Sequence, residues 1–295
     1  MDGKPQDARS RIETALHAAL ALADHAEAPP KLAAAMRHAV FPGGARIRPR
    51  LTMAVAMACR TDSASIAASA AAAIELLHCA SLVHDDMPEF DNARTRRGRP
   101  SVFAAYGASL ALLTGDALIV LAFQALADGA AKAPTRLAAM VHAIAGAVGV
   151  PHGIVAGQAW ECEEAPDLAA YQQAKTGALF AAATEAGAAA AGWHAAPWRP
   201  LGAYLGEAYQ VADDIRDAVS TEAELGKPVG QDAALGRPNA VHQLGLSGAL
   251  ARLNALAAMA AASIPPCPGA TELKLLIRME SQRLLPKELS SAQAA

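Results

Sequence analysis

Apolar residues recur along nearly the whole chain at helical, not strand, spacing. Ser10 is placed as the N-cap of a first helix that runs to Glu27 and stops at Pro29-Pro30. A short helix over 31–40 meets FPGG, and another follows over 49–59. From Ser63 the pattern changes. Ile74, Leu76, Leu77, Ala80, Ser81, Leu82 and Val83 go most of the way round a helix in which Glu75 is the one charge before the end, so the spacing predicts a helix buried on all sides. It ends in DDMPEFDNARTRRGRP, a burst of acid followed by base. Leu110 to Leu126 reads as a helix with Gly115 at a close crossing and Asp116 as a buried hydrogen-bond partner. Leu137 to Trp160 lacks Asp, Glu, Lys and Arg and is long enough to suggest a membrane span. Its Gly149–Gly153 stretch with Pro151 predicts two buried helices joined by a bend instead. Helices over 175–192, 206–219, 239–263 and 270–285 complete an all-α chain, with 1–8 and 287–295 frayed.

Composition narrows this picture. The 295 residues give room for a sizeable core, read here as one domain over 1–295. Hydrophobic residues make up 53% and charged ones 18%, and much of the apolar share is alanine, which forms helices well and lets them pack closely. A net charge of -3, with basic residues dispersed or beside acids, gives no reason to expect nucleic acid as a partner. Cys59, Cys79, Cys162 and Cys267 are isolated, with no CxxC pair, and the charged start lacks a signal peptide's apolar core. These features predict a cytoplasmic protein with reduced thiols and no transmembrane anchor.

The chemistry lies in the charged segments. Asp85, Asp86 and Asp91 repel one another, and such a set stays ionised only beside a strong cation. All-oxygen ligands favour a hard ion, Mg²⁺ before Zn²⁺. Arg94, Arg96, Arg97 and Arg99 follow at once, so acids, metal and arginines together suit a diphosphate. A solvated helix end followed by a solubilising basic loop is the plainer alternative. A second cluster weighs against it: Asp213 and Asp217 share one helical face with Asp214 beside them, on a helix with its own apolar side, and the two acidic helices suit metal ions held in common. Gly43-Gly44 is a turn whose backbone can approach an anion, with Arg46 and Arg48 after it. His78 sits on an apolar helix, and His84 is read as an orienting or structural residue. Lys175 at a helix start opposes the helix dipole, a conflict that a bound anion removes.

These stretches resemble the trans-isoprenyl diphosphate synthases. The matching motifs are GGARIRP (43–49), DDMPEFD in the bacterial form of the first motif, RRG (96–98), TGDAL (114–118), KTGALF (175–180), Tyr209-Gln210 before DDIRD, and LGKPVGQD (225–232). Purple-bacterial members of the carotenoid and bacteriochlorophyll pathways are the most similar, and they too lack the lysine that Ala45 replaces here; Arg50 is the candidate substitute. The resemblance implies an all-α helical bundle around a central cavity, a homodimer, and about three Mg²⁺ held by Asp85, Asp91 and Asp213, with Asp86 and Asp217 as further ligands and Asp214 among the catalytic acids. It implies that Arg48, His78 and Arg97 bind isopentenyl diphosphate. Arg96, Lys175, Thr176, Gln210 and Lys227 serve the allylic diphosphate, Lys227 as part of a lid. Gln158 matches the family's GQ element, with Glu161 where an Asp is usual. Ala80 and Ser81, five and four positions before Asp85, are small where shorter-chain members carry an aromatic. That predicts geranylgeranyl diphosphate as product, made from dimethylallyl, geranyl or farnesyl diphosphate. The alternatives are a farnesyl diphosphate synthase, a non-catalytic partner subunit, and a class I terpene cyclase, which carries an Asn/Ser/Glu metal motif in place of DDIRD.

Overall fold

The computed structural model describes residues 7–41, 44–164, 171, 173–219 and 239–283. Lys227, the LGKPVGQD motif, Gly43 and the chain ends lie outside the described residues. Apart from one pair of two-residue strands, the regular structure among the described residues is helical, as the spacing predicts. The helices are α1 (Ala8–Leu20), α2 (Pro30–Val40), α3 (Ile47–Ala58), α4 (Ala64–Asp85), α5 (Val102–Tyr106), α6 (Ala108–Gly129), α7 (Pro134–Val148), α8 (Ile154–Ala159), α9 (Ala178–Ala190), α10 (Arg199–Val219), α11 (Ala240–Ala262) and α12 (Ala270–Gln282). The chain forms two compact units, Met1–Ile144 with Ala186–Ala195 and Ala145–Glu185 with Ala196–Ala295.

In the first unit α4 is the central element. Ser63 caps it, accepting from the Ile66 N–H at 3.4 Å, and it is buried around most of its circumference. Its main neighbour is α6, against which α4 fits closely because Gly115 has no side chain: a Cβ there would lie 2.0 Å from His84 Nε2. The close crossing expected at Gly115 is therefore present, and His84 fills it. Asp116, expected to be buried, has a side chain 58% exposed, with its Oδ1 3.7 Å from His84 Nε2. The first helix also begins earlier than expected. Asp7, not Ser10, caps it, accepting from the Ser10 N–H at 2.7 Å, and regular helix gives way after Leu20 to a 3₁₀ turn at Ala21–Asp24.

In the second unit the core joins α10 to α11 through Ala208, Val211, Ala212 and Ile215 against Ala249, Leu253 and Leu256. Asn239 caps α11, accepting from Val241 and His242 N–H groups at 2.9 and 3.1 Å. The charge-free 137–160 segment is broken between Val148 and Ile154 into α7 and α8, as the Gly-Pro stretch predicts, but the two helices are not buried as expected: within the segment only Met140, Ile144, Ala147, Gly153 and Gly157 are buried, because each helix packs along one side only. By length and composition alone α4, α6 and α11 suffice to cross a membrane, and α4 has 78% of its apolar window buried inside the protein.

Candidate active site

The first unit assembles acids and arginines on one end of α4. The loop after Asp85 folds back: the Asp91 N–H donates to the Asp85 carbonyl at 3.0 Å, and those of Asn92 and Ala93 to Met87 and Asp86 at 3.0 and 3.1 Å. The spacing in DDMPEFD is thus a closed turn that returns the third carboxylate to the helix end. Asp86 is only 2% exposed. Arg96 Nε donates to its Oδ1 at 3.0 Å and Nη2 binds the same oxygen more closely, whereas Asp85 lies 3.9 Å from Nη2. Burial pushes the Asp86 carboxyl above its ordinary range, Arg96 pulls it back, and the charges of Asp85 and Asp91 push it up again. Asp86 thus feels the charges of both neighbouring acids.

Arg96 reaches this cluster from a hairpin of β1 (Thr95–Arg96) and β2 (Arg99–Pro100), turned by Arg97 and Gly98 at φ 54° and 72°. Two successive positive φ values suit the twist of a two-residue hairpin, and Arg97 adopts there a conformation that costs a non-glycine residue roughly 1 kcal/mol. Its guanidinium lies against Gly44, where a Cβ would come within 2.8 Å of Arg97 Cζ. The second glycine of FPGG thus leaves the space that the Arg97 guanidinium occupies. His38 Nε2, 2.8 Å from the Pro100 carbonyl, ties the hairpin to α2.

His78 joins this group. Arg48 Nη1 is 3.4 Å from its Nε2, and burial first, then the charges of Arg48, Arg97, Arg96 and Arg46, holds the imidazole well below its usual range. A neutral histidine among guanidinium groups marks a region of positive potential suited to a polyanion. Arg46, read above as an anion contact, has a different task. It is 3% exposed, donating to Glu75 at 2.6 Å, Glu13 at 3.0 Å and the Val40 carbonyl at 2.9 Å. Burial works to lower its pKa, but these acids more than offset that and raise it. The charge of Glu75 on an apolar helix is explained by the same contact. Ala80 is 1% exposed and lies about 40° around α4 from the His84 face that meets α6. Ser81 is partly exposed, lies about 40° from Asp85, and donates to the His78 carbonyl at 2.9 Å.

The second unit gathers a different set. Lys175 sits in a π-helical turn, Gln173–Gly177, that leads into α9. Its Nζ lies 2.5 Å from Glu161 Oε1, so the anion beside this lysine is an internal carboxylate. Tyr171 donates to the same oxygen at 2.7 Å, and Gln158 Nε2 donates to Oε2 at 3.1 Å. Gly157 permits the approach, since a Cβ there would lie 2.6 Å from the Lys175 backbone nitrogen. Thr176 donates to Gln210 Oε1 at 3.3 Å, and Gln210 Nε2 donates to Asp214 Oδ1 at 3.1 Å. Asp214 Oδ2 accepts from the Ala240 N–H at 2.8 Å, and the residue is 3% exposed. Both of its oxygens thus serve the fold. Asp213, partly exposed on the same α10 face as Asp217, accepts from Arg216 at 2.7 Å, and Arg216 lies 5.5 Å over the Tyr209 ring. Thr176, Gln210 and Asp214 line a cavity of about 940 Å³ within this unit, together with Val211, Arg199 and Arg252.

Among the described residues no three His, Cys, Asp or Glu side chains converge on one point. The acids offer hard oxygen ligands in ones and twos. Mg²⁺ accepts such a donor set, since it keeps several waters and completes its shell with substrate phosphates. Asp85 and Asp91 at the end of α4 offer that donor type in the first unit, and Asp213 offers it in the second. Glu161, noted in the sequence only as standing where an Asp is usual, is brought against Lys175, Tyr171 and Gln158.

A family model described as Polyprenyl synthetase matches residues 29–261. A geranylgeranyl diphosphate synthase from Cereibacter sphaeroides is 52% identical over 281 residues, 95% of this chain and 98% of that protein. An FPP/GFPP synthase from Zymomonas mobilis aligns with a TM-score of 0.76 at 31% identity, over 93% of this chain and 98% of that one. A geranyltransferase from Helicobacter pylori, solved with magnesium and isoprenyl diphosphate, aligns with a TM-score of 0.75 at 27% identity, over 95% and 98%.

Proposed function

This chain belongs to the polyprenyl synthetase family, and from that premise we propose that it condenses isopentenyl diphosphate with allylic diphosphates to make geranylgeranyl diphosphate. The observation that carries the reading is the end of α4, where a closed turn of carboxylates adjoins a neutral histidine ringed by arginines. Near-complete coverage of a geranylgeranyl diphosphate synthase at 52% identity supports the twenty-carbon product.

Each group then has a task. Arg48, Arg97 and neutral His78 bind the isopentenyl diphosphate, with Arg97 directed by its strained turn. Lys175, Thr176 and Gln210 bind the allylic diphosphate, and Lys227 closes over it. Asp85 and Asp91 on the one unit and Asp213 on the other, with Asp86 and Asp217 as further candidates, would hold Mg²⁺, which when bound would supply charge that stabilises diphosphate as a leaving group. Arg96 adds positive charge and opposes the upward push of burial and neighbouring acids on the Asp86 carboxyl. The allylic C–O bond breaks with its electron pair going to diphosphate. The isopentenyl double bond supplies the electrons of the new C–C bond, and loss of one proton to the departing diphosphate restores a double bond. Water must be kept out while the allylic cation exists. Ala80 and Ser81, small where shorter-chain members carry an aromatic, support the longer tail. Leu112, Leu113 and Val120, exposed on α6, support a second copy of the chain as partner.

The test is product chain length from purified protein with Mg²⁺, farnesyl diphosphate and labelled isopentenyl diphosphate. A twenty-carbon diphosphate is expected, and Ala80→Phe or Ser81→Phe should shift product to fifteen carbons when shorter primers are supplied. A fully folded protein that elongates nothing would overturn the reading in favour of a partner subunit, and a hydrocarbon product would favour a cyclase.

A further inference from the structure

We propose that Glu161 is the positioning residue for Lys175, fixing the place of its ammonium group for the allylic diphosphate; this rests on the prenyl-transfer reading above. Three donors converge on this carboxylate. Oε1 takes Lys175 Nζ at 2.5 Å and the Tyr171 hydroxyl at 2.7 Å, and Oε2 takes Gln158 Nε2 at 3.1 Å. The lysine and glutamate side chains are each 21% exposed, and the Tyr171 ring centroid lies 5.6 Å from Nζ, so the ammonium is enclosed on several sides. The groups come from separate stretches: Gln158 from α8, Glu161 from the 3₁₀ turn Trp160–Cys162, Tyr171, and Lys175 from the π-helical turn. A bond from Lys175 alone would make an ordinary ion pair. Two further donors holding the carboxylate make it a fixed reference point.

The physical need is clear. A lysine stem has many rotamers, and an ammonium that wanders before substrate arrives loses binding when it must be ordered. A carboxylate immobilised by Tyr171 and Gln158 removes the wandering in advance. It also offsets part of the attraction between Lys175 and a diphosphate, so position is gained against raw charge. If the balance went the other way, Glu161 would act as an internal competitor for the substrate's place, and its removal would tighten binding.

Steady-state kinetics of E161Q and E161D separate these cases. E161Q keeps the size and drops the charge; the expected result is a KM for farnesyl diphosphate raised about tenfold, with kcat and the KM for isopentenyl diphosphate within about twofold of wild type. E161D keeps the charge at shorter reach and should recover most of the loss, which a purely space-filling role would not produce. Y171F, which removes one holder of the carboxylate, should raise the same KM by about threefold. An unaltered or lowered allylic KM in E161Q overturns the proposal, as does an E161D as impaired as E161Q. Calorimetric titration with farnesyl thiolodiphosphate, which resists ionisation, reads the same effect without turnover, and equal affinity in wild type, E161Q and Y171F would also overturn it. A wild-type protein that binds the analogue but makes no product defeats the prenyl-transfer reading and leaves the titration to decide this one.

Discussion

The ends of α4 and of α10 carry the same written pattern, a pair of aspartates followed by a third, and they use it alike in one respect and differently in another. In each pair the second aspartate is buried and held by hydrogen bonds: Asp86 is 2% exposed and Asp214 3%. The first of each, Asp85 or Asp213, is left at the accessible side. The holders differ. Asp86 is gripped by a guanidinium from a neighbouring hairpin, a charged partner whose attraction responds to any anion brought nearby. Asp214 is held by a neutral amide and a backbone N–H at the start of α11, partners that do not answer to charge. A motif letter therefore fixes residue type without fixing role. One pair is embedded in the electrostatics of its site, and the other is riveted to the scaffold.

Substitution at the first positions should break the comparison most forcefully. Asp85→Ala and Asp213→Ala are expected to lower turnover by about three orders of magnitude with thermal melting unchanged. Near-normal turnover in Asp85→Ala would remove it from the metal-holding set. Asp214→Ala should instead lose about 2–3 kcal/mol of stability in urea titration, because it leaves Gln210 and the Ala240 N–H without their acceptor. Asp214→Asn, which keeps one acceptor oxygen, should lose about half as much. An Asp214→Ala protein as stable as wild type would return that residue to the chemical group. The smallest effect sharpens the contrast in charge. His78 is held well below its ordinary pKa of 6.5, so below that value the unfolded chain takes up a proton that the folded chain refuses. Stability should then fall as pH drops from about 6.5 toward the depressed folded value, and His78→Gln should flatten that part of the curve. An unchanged slope in His78→Gln would mean that the arginines around it do not keep it neutral.

What was legible in the chain follows from range. The burial of α4 showed in its uninterrupted apolar circumference, and the split near Pro151 showed in local turn chemistry, because both are decided within a few residues. The separation of Asp85 from Asp86 did not show, since it depends on Arg96, ten residues on and aimed by a turn at Arg97-Gly98. Asp214 depends on a backbone N–H twenty-six residues away. Arg46 looked like a companion of Arg48 because the two are neighbours, yet its acids come from α1 and α4. Glu161 was visible only as a departure from a family habit. Its task appears when Gln158, Tyr171 and Lys175 close around it.

The contact between Arg46 and Glu75 acts as a dowel. Glu75 is one helical turn before His78, and Arg46 stands two residues before Arg48, so the buried pair sets how far α3 slides along α4 before Arg48 meets the imidazole. Grease in place of the dowel, two apolar side chains of similar volume, would hold the helices together about as well, for a buried ion pair contributes little net stability. It would let them slip along each other. The register between two cogs of this machine is thus kept by a pair of charges that no substrate touches.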